Sequence, residues 1–507
     1  MTRIVRTDQP CPYRFNLWVY NGLDCMVTHE VYAVIAQGDE VAQGVYDYER
    51  GMQAPALQMM VRGTLIDQPL RARFLKTMLA YRDGLQGELN VLAGASWGKP
   101  LNARSIPQFR AFFYDHLGCE PIWKENAKGE DILAADEDAR GKLSKNRTAK
   151  PFLDKIEAIV TVAKKTDVLR CRVDPDDHMR SSYNVGATTT LRWSSSAGAF
   201  GAGTNEQNIT NEMRRIFIPN EGWKLAYSDL ERAESVCLAY LAEDEAYMEA
   251  LKARDHHAAV AGMVWGIPPE RARDHYPGHD RFSYRDVAKR LAHATDGGGT
   301  FRGLARTLHL SEALVEDFQQ RYFAQFPGIL AYQKRIRAVF AKSGQVPEVT
   351  TPMGVRRYFM GRPWDRSTWR QAYDYEKQSM VSHILNLGLY GVWHDLEPAG
   401  NIQVLKNGHD AILWQYRLDN DQEALIRSVE GLMSIPVQVH GRTMVIPVET
   451  KVGFNWADYT TETQAVELRA EGNPLAEANP NGLTKWGTDV ERGQQPPVYH
   501  PTLHGTD

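Results

Sequence analysis

The sequence predicts an α+β protein in which long helical blocks flank a few short, apolar β-strands. Three observations lead there. Helical patterns run through residues 52–120 and dominate again from Glu231 to Ser343. WKLAYSDL (223–230) reads as a short buried strand that ends on a carboxylate. IQVLKNGHDAILWQY (402–416) sets Asn407-Gly408, the favoured tight-turn pair, between two apolar runs, which predicts a β-hairpin.

Taken in chain order, MQAPALQMMVRGTLID reads as a helix, followed by a longer one from Pro69 to Ala93 that Gly94 to Pro100 breaks. SIPQFRAFFYDHLG opens with a serine cap and puts Phe109, Phe112 and Phe113 on one face. Residues 120–150 are polar and charged, which predicts a mobile tip. From Arg180 to Phe217 the texture turns to Ser, Thr, Gly and Asn, as in extended strands and loops lying against something polar. TMVIPVETKVGFNW (443–456) supplies a further strand. Beyond about Gly472 the chain is rich in Pro, Gly and Asn, which predicts a loosely ordered tail. Internal repeats are not evident.

At 507 residues the chain has room for two to four domains, and 43% hydrophobic with 24% charged residues is an ordinary globular composition. No apolar run approaches the roughly 20 residues of a membrane helix, and the N-terminus has no stretch of signal-peptide length. The five cysteines are scattered without a CxxC pair, which argues against a disulfide framework or a zinc site and suits a reducing cytosol. The expected location is therefore cytoplasmic. A net charge of −4 does not announce a nucleic-acid binder, so distribution matters more than the total. Between Arg140 and Arg172 basic residues outnumber acids, either as a solvated helix face or as a grip on a phosphate backbone.

Two groups of residues carry chemistry. Asp229 ends a predicted strand and Asp410 sits beside a predicted hairpin turn. Magnesium takes oxygen ligands, commonly one or two carboxylates plus substrate phosphates, so this pair suits such a site only if the two strands are neighbours. Arg285, Lys289 and His293, spaced i, i+4, i+8, share a helix face that could hold a triphosphate or could simply be solvated. The following GGGTFRG lacks the Lys-Ser/Thr ending of a phosphate loop and follows a helix rather than a strand, which disfavours that reading.

In order along the chain, these segments resemble the family A (polymerase I-like) DNA polymerases, from about Tyr20 to Asn455. MMVRGTLID resembles the start of that family's thumb, and TTLRWSSS…TNEQNIT its TGRLSS…LQNIP stretch. RRIFIPNEGWKLAYSDLERAE resembles RRAFxP…DYSQIE, DHHAAVAGMVWG resembles DIHxxTAxxVFG, and the Arg285–Lys289 helix resembles RxxxKxxxFGxxYG. YFAQFPG, TPMGVRRYF, the Gln378-Ser379 pair, GHDAI and PVETKVGFNW follow in the family's order. Any one piece is common, but the fixed succession is not.

The resemblance implies a right-hand fold with an antiparallel-sheet palm, helical fingers and a helical thumb. The divisions expected are 1–50 as a remnant of the end of a 3′–5′ exonuclease, 51–179 thumb, 180–234 palm, 235–349 fingers, 350–460 palm again, and 461–507 tail. The implied activity is template-directed DNA synthesis from deoxynucleoside triphosphates onto a primer 3′-hydroxyl. Asp229, Asp410 and the carbonyl of Leu230 would hold two Mg2+ ions, with Lys289 also catalytic. Lys289, Arg285, His257, His293 and Arg232 would face the triphosphate, and Glu234 would crowd the sugar 2′-hydroxyl. Arg192, Gln207, Asn208, Arg370, Gln378 and His409 would touch the primer–template. Expected partners are primer–template DNA, deoxynucleoside triphosphates and a processivity factor or separate exonuclease, with no membrane. The short form resembles polymerases carried by bacteriophages, which would place it in host cytoplasm.

Departures from the family pattern are Glu231 for Ser, Arg232 for Gln, Val236 for Arg, His293 for Phe or Tyr, Gly297 for Tyr and Ala411 for Glu. They leave a catalytically weakened DNA-binding relative as one alternative. A single-subunit RNA polymerase relative is another, which Glu234 argues against. YNGLD (20–24) resembles the last acidic motif of the exonuclease without the earlier ones, so proofreading is expected to be absent, with Tyr20 and Asp24 as packing and capping residues. Loss of the aromatic at Gly297 predicts a loosened template side, and three consecutive glycines predict a helix end or hinge there.

Overall fold

The computed structural model describes residues 13–35, 40–126, 129–198, 201–277, 282–308, 310–341 and 346–499. Two helices open the chain, α1 (Tyr13–Ile35) and α2 (Glu40–Arg62). α2 stops at Gly63, where φ is +67° and a Cβ would come within 2.7 Å of the Met179 carbonyl oxygen, so both conformation and space demand glycine. Asp67 then caps α3 (Gln68–Trp97) by accepting from the Leu70 N–H at 2.8 Å. The break expected between Gly94 and Pro100 is found, past the first glycine of that stretch. The helix continues to Trp97 and ends at Gly98, whose φ is +72°, because Gly94 is tolerated in a helix interior while only the left-handed position requires glycine.

α3 packs against α4 (Lys150–Arg170), burying Phe74, Met78, Leu85 and Leu89 with Phe152, Leu153, Ile156 and Ile159. Ser105 caps the short helix Ile106–Arg110 as expected, and Phe109, Phe112 and Phe113 are all buried in the same cluster. The predicted mobile tip contains elements of its own: Trp123–Glu125 pairs with Asp131–Leu133, and Glu137–Leu143 is a helix capped by Asp136. Most of the basic run is neutralised within the chain, Arg140 by Glu157, Lys142 by Asp138, Lys150 by Asp154, Lys155 by Glu88, Lys164 by Glu137 and Lys165 by Glu212. Those residues thus have acidic partners within the chain.

The central sheet has five antiparallel strands: β1 (Trp223–Leu230), β2 (Ile402–Asn407), β3 (Ala411–Arg417), β4 (Val448–Gly453) and β5 (Thr484–Lys485). Their order is β2-β3-β1-β4-β5. Period-two alternation splits β1, β2 and β3 between two cores. Ala226, Ile412, Trp414 and Val452 enter one; Leu225, Leu413 and Leu405 enter the other, which the α3–α4 pair also fills. The single strand expected over 443–456 is two, Arg442–Met444 and β4, with Pro447 between them where its missing N–H interrupts a ladder.

Beyond the sheet lie α5 (Ala233–Leu241), α6 (His256–Trp265), α7 (Tyr284–Asp296) and the long α8 (Arg366–Gly391). The expected loose tail is not loose over its described part. It forms α9 (Glu462–Ala470), adds β5 to the sheet, and buries an ion pair between Lys224 and Glu491. Leu475 and Leu483 supply the apolar contacts that a Pro-, Gly- and Asn-rich composition concealed. Tyr20 and Asp24 lie exposed in mid-α1, so neither packs nor caps: α1 has an open side there. No helix among the described residues is long and apolar enough to cross a membrane.

Candidate active site

β1 is flanked by β3 and β4, and that register delivers Asp229 to the sheet's end opposite Ala411 on one side and Glu449 on the other. Asp410 belongs to the turn between β2 and β3, and its carbonyl accepts the Leu230 N–H at 2.9 Å. The two carboxylates, 181 positions apart in sequence (410 − 229), thus sit on adjacent strand ends. The turn differs from the Asn-Gly type expected. Gly408 donates to the Ala411 carbonyl at 2.7 Å, and the left-handed residue is His409 (φ +78°) rather than the glycine. Asn407 makes this tolerable, since its Oδ1 accepts the His409 N–H at 3.1 Å.

Asp229 has its carboxyl pushed up to about 7, first by burial and then by the neighbouring Asp410. Asp410 lies at the open rim, yet its carboxyl is raised too, by the protein packed behind it. Neither acid has an ion-pair partner among the described residues. Two unpaired carboxylates that resist ionisation are a donor set short of positive charge. No cluster of three or more His, Cys, Asp or Glu among the described residues could hold a metal alone. A pair plus the Leu230 carbonyl fits a hard cation that takes its other oxygens from water and phosphate.

These groups line a cavity of about 340 Å³ together with Arg192, Arg232, Glu234, His257, Lys289, His293 and His409. α7 presents Lys289 and His293 from its open side while Val287, Ala288, Leu291 and Ala292 anchor the other; Ser283 and Asp286 form a capping box at its start. The His257 ring lies 5.3 Å from that of His293, and burial with the neighbouring His256 pushes its imidazole down to about 3, so it is neutral at physiological pH. Lys289 has no acidic partner among the described residues and is the cation left available to a substrate.

Several predicted residues stand elsewhere or face otherwise. Arg232, with φ +56°, donates to the Leu251 and Ala253 carbonyls at 2.7 and 2.9 Å and touches Glu231, so its charge is committed to the fold. Arg285 does not line the cavity: it binds Asp255 at 2.6 Å, one turn before Lys289. Gln207 donates to the Asn407 carbonyl at 3.3 Å, tying its turn to the Asp410 turn, while Asn208 beside it is exposed. Gln378 lies on α8 outside the cavity lining. Arg370 opens onto a second, larger cavity of about 950 Å³, where Arg302, Arg306, Arg337 and Arg366 join it with no acid in the lining. Gly298 and Gly299 of the triple glycine border this second cavity. Gly297 ends α7 as expected, and Gly298 takes φ +74°.

Two residues escaped sequence reasoning. Asn386, buried on α8, donates to the Leu191 carbonyl at 3.0 Å and accepts from Asn407 Nδ2 at 2.9 Å, joining the segments that carry Arg192 and Asp410. A lone Asn in an apolar helical run was its only signal. Glu449, in PVETKVG, adds a third carboxylate beside Asp229 and is paired with Lys485 at 3.2 Å.

The sequence profile of DNA polymerase family A matches residues 76–458. The chain is similar to DNA polymerase I of Pseudomonas aeruginosa, 27% identical over 468 residues, covering 86% of this chain and 47% of that protein. It is also similar to the thermostable DNA polymerase I of Thermus aquaticus, 26% identical over 439 residues, with 83% and 49% covered. The chain spans about half the length of these relatives. In fold it resembles the POL domain of Pol1 from M. smegmatis, in complex with DNA primer-template and dNTP, with a TM-score of 0.67, 22% identity, and 81% and 70% of the two chains covered.

Proposed function

The chain belongs to DNA polymerase family A and has the right-hand polymerase fold, and from that premise we propose that it extends a primer on a DNA template using deoxynucleoside triphosphates. One observation carries the reading: the β1–β3 pairing sets Asp229 and Asp410 on adjacent strand ends, and both line one cavity with Lys289.

Asp229, Asp410 and the Leu230 carbonyl would hold Mg2+. Such ions supply a more acidic attacking hydroxyl and neutralise charge building on the phosphate oxygens. This chain's own residues do the rest. Lys289 reaches across the cavity to the triphosphate, and neutral His257 offers it a hydrogen bond rather than a charge. Arg285 joins if it exchanges Asp255 for a phosphate oxygen, an exchange between two anionic acceptors of similar strength. Glu234 stands where the sugar would rest. His409, on the Asp410 turn, and Gln207, tied to the same turn, place primer contacts beside the reacting end. The arginine-lined second cavity suits a phosphate backbone, which contributes affinity and register rather than sequence.

The test is primer extension with magnesium, offering deoxy- and ribonucleotides in parallel. The unaltered chain should extend with deoxynucleotides. Asp229→Ala and Asp410→Ala should each abolish extension while leaving duplex affinity within a few-fold. Near-normal turnover by either variant removes the carboxylates from the mechanism. Ribonucleotide use as efficient as deoxynucleotide use supports an RNA polymerase relative instead. A mismatched 3′ end should be retained by this chain on its own, since Asp24 is exposed on α1 and the other acid of that helix, Glu30, lies six residues on and faces a different way.

A further inference from the structure

We propose that Arg192 is a positioning residue for sugar selection, holding Glu234 in the one orientation that makes it a wall against a 2′-hydroxyl. The proposal rests on the polymerase reading above and names a second member of that site's sugar gate. Glu234 sits in the first turn of α5, and its Oε1 accepts from Arg192 Nη2 at 2.7 Å. No other hydrogen bond to the Glu234 side chain is present among the described residues. Lys377, the buried lysine nearby, is paired with Asp374 at 2.7 Å. A glutamate with three rotatable side-chain bonds would otherwise move through the cavity and give way to an added hydroxyl.

The backbone that carries Arg192 is itself held on both sides of the residue. Leu191 before it adopts φ +60°, an unfavourable conformation for a branched residue, and the Leu191 carbonyl is secured by Asn386 at 3.0 Å. The Arg192 carbonyl accepts from Thr188 Oγ1 at 2.8 Å. The guanidinium Nε is buried and has no hydrogen-bond partner. Arg192 and Glu234 remain 28% and 33% exposed, and pairs as open as this add little to stability. Strained backbone, a buried asparagine shared with the Asp410 turn and an ion pair of small energetic value therefore make sense as geometry for the cavity, not as support for the fold.

The experiment is a double-mutant cycle on one ratio, kcat/KM for a deoxynucleotide over that for the matching ribonucleotide. Arg192→Ala should lower the ratio about tenfold and Glu234→Ala by at least as much, while the double variant should match Glu234→Ala alone, since Arg192 acts on this ratio only through Glu234, whatever it contributes to primer binding. Arg192→Lys, which keeps the charge but not the fork, should recover part of the ratio. General damage to folding or to primer binding lowers both efficiencies together and leaves the ratio unchanged, so the ratio isolates positioning. An unaltered ratio in Arg192→Ala overturns the proposal, as does a double variant whose ratio falls by the product of the two single effects. Failure of the unaltered chain to extend with any nucleotide is a different result, and overturns the polymerase reading on which this one stands.

Discussion

Asp229 works against the fold that holds it. Its carboxyl titrates near 7 in the folded chain against 3.8 when unperturbed, so the folded state keeps a proton that the unfolded state has released. Stability from this group therefore falls as pH rises from about 4 to 7 and stays low above that. Asp229→Asn removes the charge and should stabilise the ligand-free protein at pH 8 by up to about 4 kcal/mol, read as a higher melting temperature, and do much less at pH 5. Added magnesium should stabilise the unaltered chain more than the variant. Melting curves at the two pH values check both; a variant less stable at pH 8 would mean that the carboxylate is already compensated. Gly297 is the second residue whose surroundings decide its effect. A Cβ there would lie 3.0 Å from Asp374 Oδ1, and Asp374 is the partner of the fully buried Lys377. An aromatic at this place, expected from the family pattern to tighten template selection, must first displace that carboxylate. Gly297→Tyr should thus destabilise by roughly 1–3 kcal/mol, the range for overpacking. An unchanged melting temperature would show that Asp374 swings clear, and only then should misinsertion fall below that of the unaltered chain.

At the scale of elements, the β2–β3 turn matters most, because it aims Asp410 and His409 without a glycine in the left-handed position. Asn407 and Asn386 take over that work, with Asn386 also bonded to the Leu191 carbonyl. Asn386→Leu keeps the volume but leaves buried polar groups on two segments unpaired, each costing about 1–3 kcal/mol. It should lower kcat by tenfold or more while the far-ultraviolet spectrum of the folded fraction stays the same; unimpaired turnover would show that the turn holds its own shape. α7, by contrast, was legible in large part: the common face of Arg285, Lys289 and His293 marked the helix and the glycine run its end, while the Ser283–Asp286 capping box at its start came only with the structure. Helical periodicity and caps are local signals, whereas a turn braced from a distant helix has none.

Over the whole molecule, the segment after Asp458 closes one side of the sheet. β5 pairs with β4, Glu491 neutralises the buried Lys224, and Asn479 exchanges hydrogen bonds with buried Asn455 at 2.9 Å. Removing residues 459–507 should expose Trp456 and leave Lys224 buried without its partner, a change of roughly 3–5 kcal/mol from the ion pair alone. The expected result is an insoluble chain, or one with a melting temperature many degrees lower, judged by soluble yield and thermal unfolding. A truncated chain as stable as the full one would make this segment an ornament on the surface.

The sequence by itself determined the helical blocks and the Ser105 cap, the strand that carries Asp229 near its end, the hairpin that carries Asp410, and, through the order of its motifs, the family. Those follow from interactions within a few residues of each other, or from patterns that survive reading along a line. Only the tertiary structure decided that Asp229 and Asp410 meet, because strand register is set by which faces two separate cores must cover. It also decided that Arg232 and Arg285 are turned to Leu251, Ala253 and Asp255, and that Glu234 is held by Arg192. A charged side chain long enough to choose among several acceptors settles on one only when the backbone has brought that acceptor within hydrogen-bonding distance.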